Sequence, residues 1–385
     1  MKAQRRVFIL AAIVVLAAAP AAQAQLAVTS NDNKVMLDNG TVKIVQNPAP
    51  DTVTILDLTV SPPRVVAEIA VPGSVVGPPL SVALTPDESL ALVGSSSKVD
   101  PGDPTKTVPD TRVSVIDLKA SPPAVIATLE AGRSAAGISI NRRGTLALVA
   151  NRSEGTVSVF SISGKTVTPV GKVTIADEKS GTSHAVFTPD GTMALVTRDG
   201  DHKISVLSVD GTKVEYTKRD INAGLRPYGI DVSSKGDFAA VANIGIGQGD
   251  TDTVSLIDVR AKPPRVVETV SVGQTPEGIK VSPDGRHVAV VVMNGSNKAK
   301  ESPFYGDSGR LVVLRAKGMK LTRVAEAVIG HWSQGAAFSP DGKTILVGNM
   351  VEKDVQVFSF DGRSLKEVGR IKVNGGPAAV RTAEK

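Results

Sequence analysis

The sequence predicts an all-β protein, a seven-bladed β-propeller of four-stranded blades in which strands from the two ends of the chain close the ring. Three observations support this fold. Valine, alanine, threonine, serine and glycine dominate the composition, and helical periodicity is lacking. A tight-turn motif recurs at a nearly constant spacing. The C-terminal residues resemble the beginning of a blade whose remaining strands lie near the N-terminus.

The turn motif is clearest at residues 282–285, Ser-Pro-Asp-Gly. Proline fixes φ and glycine accepts a positive φ, so each copy is expected to join two antiparallel strands. The positions aligned with Asp284, which we call turn anchors, lie 45 to 57 residues apart. This is the spacing of four-stranded blades with variable loops. The seven turn anchors are Asn39, Asp87, Arg143, Asp190, Lys235, Asp284 and Asp341.

The strands of each blade can be followed from its turn. An apolar second strand comes directly after the turn, as at residues 145–150, and a third strand follows, as at residues 156–160. Pro-Pro units at residues 62–63, 122–123 and 263–264 each lead into a valine-rich segment that is predicted to be a fourth strand.

The closing blade is assembled from both ends of the chain. Residues 376–380 resemble the start of an innermost strand, and we expect its outer strands at residues 41–46, 51–58 and 63–69. Residues 34–37 are an alternative source of the innermost strand. A blade shared in this way removes an open sheet edge.

The first 24 residues are predicted to be a secretory signal. Lys2, Arg5 and Arg6 precede an apolar run, and a small-x-small pattern ends at Ala24, where cleavage is expected. Residues 25–385 then form one propeller domain in the periplasm or outside the cell. The basic pair leaves both the general and the twin-arginine route open. No later stretch approaches the ~20 apolar residues of a membrane span.

Composition excludes several classes of function. Without Lys2, Arg5 and Arg6 the formal charge falls from +6 to +3, and the basic residues are scattered, so we expect no nucleic-acid binding. Cysteine is absent, which excludes disulfides, thiolate nucleophiles and covalent c-type haem. The histidines show no zinc-binding spacing, so no metal site is predicted, and nothing identifies a cofactor.

The ends of the second strands carry a family resemblance. An apolar, apolar, x, Asn pattern occurs at residues 148–151, 240–243, 346–349 and 44–47. This pattern resembles the Tyr-Val-Thr-Asn signature of YVTN-type and lactonase-like propeller repeats, although no copy keeps the tyrosine. The resemblance extends from about residue 33 to the C-terminus. It implies a propeller fold, which serves lactonases, lyases, subunits of periplasmic dehydrogenase systems and non-catalytic binding proteins.

Comparison of the repeats with one another points to a candidate catalytic residue. In a propeller, the loop before each innermost strand and the loop after each second strand lie on one face, around the channel mouth. The residue six positions before the turn anchor is small in the other blades, but blade 3 has His184 at this position. A lone histidine there is a candidate general base or ion ligand. The alternative is a histidine that is hydrogen-bonded within the ring and has no catalytic duty.

A second set of polar residues is predicted to bind a ligand. Tyr228, Glu277 and Gln334 stand, in consecutive blades, one residue before the position equivalent to His184. Arg226 and Trp332 come two residues earlier in the chain than Tyr228 and Gln334, and Arg198 replaces an asparagine at the end of a second strand. Together they would clamp a carboxylate or phosphate against an aromatic wall. The alternative is a wet channel lined by polar residues. The six residues are Tyr228, Glu277, Gln334, Arg226, Trp332 and Arg198.

The sequence leaves two main hypotheses for function. The first is a binding scaffold for a small ligand or another exported protein, which would use the channel face and long insertions at residues 95–109, 244–252 and 294–309. The second is a lactonase-like hydrolase of a cyclic ester with His184 as the base. An accessory role to a periplasmic quinone-dependent dehydrogenase is a weaker third. We expect a monomer.

Overall fold

The computed structural model describes residues 25–385, so the predicted signal, residues 1–24, lies outside the described residues. Seven four-stranded antiparallel sheets form the blades of a ring, and two two-stranded hairpins are added to them. The predicted fold class is therefore confirmed. Within residues 25–385, no helix has the length and apolar character needed to cross a bilayer.

The N-terminal part of the described chain contributes to the closing blade. Its strands are β1 (Leu26–Asp32), β2 (Val35–Asp38), β3 (Thr41–Ile44), β4 (Thr52–Asp57) and β5 (Arg64–Ala70).

Blades 1 to 3 follow in chain order, each running from the innermost to the outermost strand, with one hairpin inserted in blade 1. Blade 1 contains β6 (Val82–Leu84), β7 (Leu90–Gly94), the hairpin β8 (Ser97–Asp100) and β9 (Asp103–Pro109), β10 (Arg112–Asp117) and β11 (Ala124–Glu130). Blade 2 contains β12 (Ala135–Ile140), β13 (Leu146–Asn151), β14 (Thr156–Ser163) and β15 (Thr166–Thr174). After a 3₁₀ turn (Glu178–Ser180), blade 3 contains β16 (Thr182–Phe187), β17 (Met193–Arg198), β18 (Lys203–Asp210) and β19 (Lys213–Ile221).

Blades 4 to 6 repeat this order, and a last strand returns to the N-terminal segment. Blade 4 contains β20 (Pro227–Val232), β21 (Phe238–Asn243), β22 (Asp252–Asp258) and β23 (Arg265–Gly273). Blade 5 contains β24 (Pro276–Val281), β25 (His287–Val292), β26 (Gly309–Lys317) and β27 (Lys320–Ile329). Blade 6 contains β28 (Ser333–Phe338), β29 (Thr344–Asn349), β30 (Asp354–Phe360) and β31 (Leu365–Lys372), and the chain ends with β32 (Gly376–Thr382).

The closing blade has the strand order β32, β1, β4, β5, so its innermost strand comes from the C-terminus, as expected. The prediction for its second strand was wrong: β1 takes this place, and residues 41–46 lie in the separate β2–β3 hairpin. The alternative innermost strand at residues 34–37 belongs to the same hairpin. β1 fits because it is buried throughout and Asn31, near its end, donates to Thr52 and Thr54 of β4, at 3.0 and 2.9 Å.

The same bonds recur at the ends of other second strands. Asn151 Nδ2 donates to Thr156 Oγ1 and Ser158 Oγ of the next strand, both at 2.9 Å, and the Asn151 Oδ1 accepts from the Gly132 backbone N–H at 2.9 Å. The recurring asparagine thus ties second strand, third strand and the incoming loop together, and we call it the staple asparagine. The core lies between blades, where apolar side chains of neighbouring sheets interdigitate.

The insertions after second strands form a canopy on one face of the ring. The canopy consists of the β2–β3 hairpin, the β8–β9 hairpin and the loops at residues 244–252 and 294–309. At the tip of the first hairpin, Asn39 Oδ1 accepts from the Lys300 backbone N–H at 3.0 Å, and Lys298 Nζ donates to the Gly247 carbonyl at 2.8 Å. Blades 2 and 3 have only short loops here, so their side of the mouth is left open.

Candidate functional site

A group of charged and polar side chains from blades 2 to 6 meets at the channel mouth. Each sits just before an innermost strand, early in it, or directly after a second strand, which places it on the canopy face. We call this group the mouth cluster: Arg152, Ser183, Asp199, Arg226, Tyr228, Glu277, Trp332 and Gln334.

Asp199 is the fixed anion of the mouth cluster. Its carboxylate accepts from Ser183 Oγ at 2.7 Å, from Arg152 Nη2 at 3.0 Å and from Arg226 Nη2 at 2.9 Å. Burial opposes the charge of this carboxylate, but the bonds and charge of Arg152 outweigh it and hold the pKa of Asp199 below its usual value. Asp199 therefore stays ionised and positions both guanidinium groups.

Tyr228 supplies a hydroxyl group that keeps its proton. The Arg152 guanidinium lies over the Tyr228 ring, 5.4 Å from its centroid. Burial raises the pKa of Tyr228, and the positive charge of Arg152 only partly opposes this shift. At neutral pH the phenol is a hydrogen-bond donor.

Glu277 is the group in the mouth cluster that titrates near neutral pH. Burial raises the pKa of Glu277 to about 7, although a hydrogen bond from Gln334 and the charges of Arg152 and Arg226 act in the opposite direction. With its amide oriented to satisfy both neighbours, Gln334 donates to Glu277 Oε2 at 3.1 Å and accepts from Trp332 Nε1 at 3.3 Å. A half-ionised carboxyl group held by one amide is suited to general acid–base work.

Five of the six predicted ligand-binding residues meet in the mouth cluster, but Arg198 does not. Arg198 Nε donates to Asp201 at 2.8 Å, and its Nη1 donates to Ser205 Oγ at 3.1 Å and contacts Asp220 on the outermost strand of blade 3. Arg198 thus replaces a staple asparagine, pointing outward between strands and away from the channel.

His184 lies in the channel wall but is sealed from solvent. The side chain is fully buried, and its ring lies near the backbone of Ile138 in blade 2 and of Ile230 in blade 4. It packs against Gly137 of blade 2, where an added Cβ would lie 2.6 Å from the ring. Burial and the nearby charge of Arg381 lower the pKa of His184 to about 3, so the imidazole is neutral. The geometry does not support the expected role of a base that activates water.

Arg152 and Asp199 were not predicted from the sequence, although a signal for them exists. Both follow the position of the staple asparagine, at a register that is polar or charged in four blades and apolar in three. The seven residues at this register are Asp32, Ser95, Arg152, Asp199, Ile244, Met293 and Met350. Comparison of this register across the repeats would have shown the charged pair.

A metal centre is not evident at the mouth. Among residues 25–385, no three or more His, Asp or Glu side chains are grouped so that they could hold an ion. On the canopy, Asn39 Nδ2 donates to one of the acidic residues of the insertions, Glu301, at 2.9 Å.

Comparisons with known proteins agree with the fold. The family model described as "Lactonase, 7-bladed beta-propeller" matches residues 174–317, which contain Asp199, Arg226, Tyr228 and Glu277. No curated protein sequence matches the chain.

Solved structures with the same architecture cover almost the whole chain. A putative 6-phosphogluconolactonase from Bacteroides fragilis has a TM-score of 0.70 at 15% identity, with 95% of this chain and 99% of that chain covered. A periplasmic gluconolactonase from Pseudomonas aeruginosa has a TM-score of 0.68 at 17% identity, with 94% and 99% covered. Hydrazine synthase from Kuenenia stuttgartiensis has a TM-score of 0.62 at 19% identity, with 81% and 91% covered.

The chain is thus a seven-bladed propeller that is similar to lactonase-like propellers, and the resemblance predicted from the repeats is confirmed. At these identities the solved structures define the fold alone.

Proposed function

We propose that this protein is a lactone hydrolase and that the mouth cluster is its active site. One observation carries the proposal: a carboxyl group with a pKa of about 7, Glu277, shares a partly open mouth with two guanidinium groups and a protonated phenol. The match to the lactonase model and the lactonase descriptions of two structural neighbours support the same chemistry.

We infer a role for each group from its position and charge. The Glu277 carboxylate accepts a proton from a water molecule as the water oxygen forms a bond to the lactone carbonyl carbon. Arg226, whose side chain is 35% exposed, and Arg152 stabilise the negative charge that develops on the carbonyl oxygen. The ring C–O bond then breaks, and the alkoxide receives from Glu277 the proton that was taken from water, while the Tyr228 hydroxyl donates a hydrogen bond to it. Asp199 keeps the two guanidinium groups in place.

The test is hydrolysis of a panel of lactones, with and without a phosphate group, by residues 25–385 and the Glu277→Gln variant. Because the amide cannot accept the proton, we expect kcat/KM to fall about 10²- to 10⁴-fold. In the unsubstituted protein, kcat/KM should rise with pH and level off above about 7, because the active form of Glu277 is deprotonated.

Glu301→Gln, an exposed change on the canopy, is the matched control and should leave kcat/KM unchanged. Equal turnover in the Glu277→Gln variant would refute the assignment. If the protein binds a ligand but hydrolyses no lactone, the hydrolase assignment is wrong and the binding scaffold, the first hypothesis from the sequence, stands instead.

We further propose that residues 1–24 direct export and are removed near Ala24. Support comes from their sequence pattern and from the periplasmic location stated for the Pseudomonas aeruginosa neighbour. Mass spectrometry of the protein from the periplasmic fraction should find an N-terminus near Gln25. An intact Met1 on cytoplasmic protein would contradict export.

A further inference from the structure

Trp332 and Gln334 form a hydrogen-bonded chain that ends on Glu277. Trp332 Nε1 donates to the Gln334 amide oxygen at 3.3 Å, and the Gln334 amide nitrogen donates to Glu277 Oε2 at 3.1 Å. Trp332 and Gln334 are buried, at 8% and 1% exposure, whereas Glu277 keeps partial contact with solvent. The chain therefore reaches the carboxyl group from the protein interior.

Trp332 is held in place through its backbone and its side chain. Its backbone N–H donates to Ser296 Oγ of the blade 5 insertion at 3.1 Å. Its side chain packs with Met293, Met350 and Ala378 into one buried apolar cluster. The indole N–H accordingly has a defined position.

The indole sets the direction of both hydrogen bonds. An indole N–H can only donate, so the Gln334 oxygen must face Trp332 and the amide N–H must face Glu277. Glu277 Oε2 is thereby an acceptor whether the carboxyl group is charged or neutral. A proton on Oε2 would point at the amide N–H, donor against donor, so the neutral form carries its proton on Oε1.

This pair of residues is particular to blade 6. Its two members stand nine and seven residues before the turn anchor, and no other blade joins an indole to an amide at these positions. The chain is thus not a requirement of the repeat. The pairs in blades 1 to 5 are Pro78 and Leu80, Ser134 and Ala136, Gly181 and Ser183, Arg226 and Tyr228, and Thr275 and Glu277.

We propose that Trp332 and Gln334 are positioning residues that keep Glu277 Oε2 as a hydrogen-bond acceptor and direct proton exchange to Oε1. The inference rests on the proposed function and specifies which oxygen of Glu277 takes the proton from water and returns it to the alkoxide. Both residues act through Glu277 and need no contact with the lactone.

The other groups that face Glu277 remain in place when this chain is broken. The charges of Arg152 in blade 2 and Arg226 in blade 4 favour the ionised carboxylate, and the charge of Asp199 in blade 3 opposes it. Tyr228 beside them keeps its proton at neutral pH. A changed titration of Glu277 after a substitution within the hydrogen-bonded chain would therefore report on the chain itself.

Carbon-13 NMR of protein labelled at the glutamate carboxyl carbons measures the titration of Glu277, whose signal is the one missing in Glu277→Gln. In residues 25–385 without substitution, Glu277 should titrate with a pKa of about 7. Gln334→Leu removes the N–H that stabilises the carboxylate, and Trp332→Phe lets the amide rotate so that its oxygen favours the protonated form. Each variant should raise the midpoint by about one pH unit.

The double variant Trp332→Phe/Gln334→Leu distinguishes a chain from two separate effects. If Trp332 acts only through Gln334, the double variant should have the midpoint of Gln334→Leu alone, whereas separate structural effects would add. Met350→Leu is the matched control, because Met350 packs in the same apolar cluster as Trp332 without joining the chain, and it should leave the midpoint unchanged.

Infrared difference spectra between pH values on either side of the midpoint test where the proton lies. With the proton on Oε1, Oε2 is the carbonyl oxygen of neutral Glu277, and the hydrogen bond from Gln334 lowers its C=O stretching frequency. The frequency should therefore rise in Gln334→Leu. An unchanged frequency would overturn the assignment of the proton to Oε1.

Turnover separates this inference from the proposed function. At pH 7, kcat should fall about fivefold in Gln334→Leu with little change in KM, because a midpoint about one unit higher lowers the ionised fraction from about a half to about a tenth. The expected midpoints without hydrolysis of any lactone would support the chain and overturn the hydrolase. Hydrolysis that needs Glu277, with midpoints unmoved in Trp332→Phe and Gln334→Leu, would overturn the chain and leave the hydrolase standing.

Discussion

Asp199 and Glu277 show how one cluster gives two carboxyl groups opposite properties. Asp199 accepts hydrogen bonds from Ser183, Arg152 and Arg226, and these outweigh the penalty of burial. Glu277 accepts from one neutral amide, so burial dominates and its pKa rises to about 7. Divergent pKa values in one site separate a fixed counter-ion from an acid–base group.

The His184→Ala variant tests whether this histidine has a structural or a catalytic role. We expect His184→Ala to lower the free energy of unfolding by about 2–4 kcal/mol, because it leaves a cavity beside Gly137 in a closely packed ring. Lactone turnover by the folded variant should remain within about threefold, since no reacting group of Glu277, Arg226 or Tyr228 is removed. Urea unfolding and kcat/KM on the same sample measure both.

The opposite result would return His184 to the active site. A variant that unfolds at the same urea concentration as the unsubstituted protein but loses more than about 100-fold in kcat/KM would show that the imidazole acts on the substrate.

The sequence predicted five mouth residues because they depart from the pattern of their repeats. Arg198 also departs from the pattern, yet it performs the staple role with a longer side chain. A repeat comparison shows where a residue is unusual but not in which direction its side chain points. Arg152 of blade 2 donates to Ser183 and Asp199 of blade 3, and such a contact between blades is visible only in the assembled ring.

At the scale of the element, the staple asparagine defines where a second strand ends. We expect Asn151→Ala to destabilise the protein by about 2–4 kcal/mol, because three hydrogen bonds of a fully buried side chain are lost. Asn47→Gly is the control, since Asn47 fits the same sequence pattern but is exposed after the β2–β3 hairpin, with a φ of 50° that glycine adopts easily. Urea unfolding of the two variants should separate them. Equal losses would refute the staple role.

The sequence pattern of the staple asparagine also explains why the prediction for the closing blade was partly wrong. Residues 37–47 carry both a tight turn at Asn39–Gly40 and an apolar, apolar, x, Asn pattern, so they imitate a second strand. The true second strand, β1, has no turn before it, because its innermost partner β32 lies at the other end of the chain. The predicted third and fourth strands agree with β4 and β5.

At the scale of the whole molecule, the C-terminus holds the ring together on the face opposite the canopy. Glu384 accepts from Lys280 of blade 5 and from Arg381 of β32, the latter at 2.6 Å. Lys280 also pairs with Asp231 of blade 4 at 3.0 Å. The last residues thereby connect the closing blade to blades on the far side of the ring.

Removal of the Glu384 charge should weaken the protein in a pH-dependent way. Burial opposes the charge, but Lys280 and Arg381 hold the pKa of Glu384 below its usual value. This stabilisation is fully present above the unfolded-state pKa of about 4.3 and is lost progressively as the pH falls towards the folded-state pKa of about 2. We expect Glu384→Gln to unfold about 1–2 kcal/mol more easily at pH 7, with the difference shrinking to about half near pH 3 and becoming small near pH 2.

Thermal unfolding across this pH range tests the prediction. Glu215→Gln is the control, because Glu215 forms an exposed pair with Lys213 at 3.0 Å, and it should have little effect at any pH. A difference for Glu384→Gln that does not change between pH 7 and pH 3 would contradict the proposed ion pairing.

The pairing of β1 with β32 also sets the order in which the molecule is completed. Ala27 lies opposite Thr382, so the first described strand has no innermost partner until the last residues of the chain have been synthesised. Blades 1 to 6 are each formed from one contiguous segment, so their strand pairings join residues that are close in sequence. Joining distant segments is slow because the entropy of closing a long loop is lost before the contacts form. A nascent chain therefore presents an open, unfinished ring until β32 has been synthesised and has paired with β1.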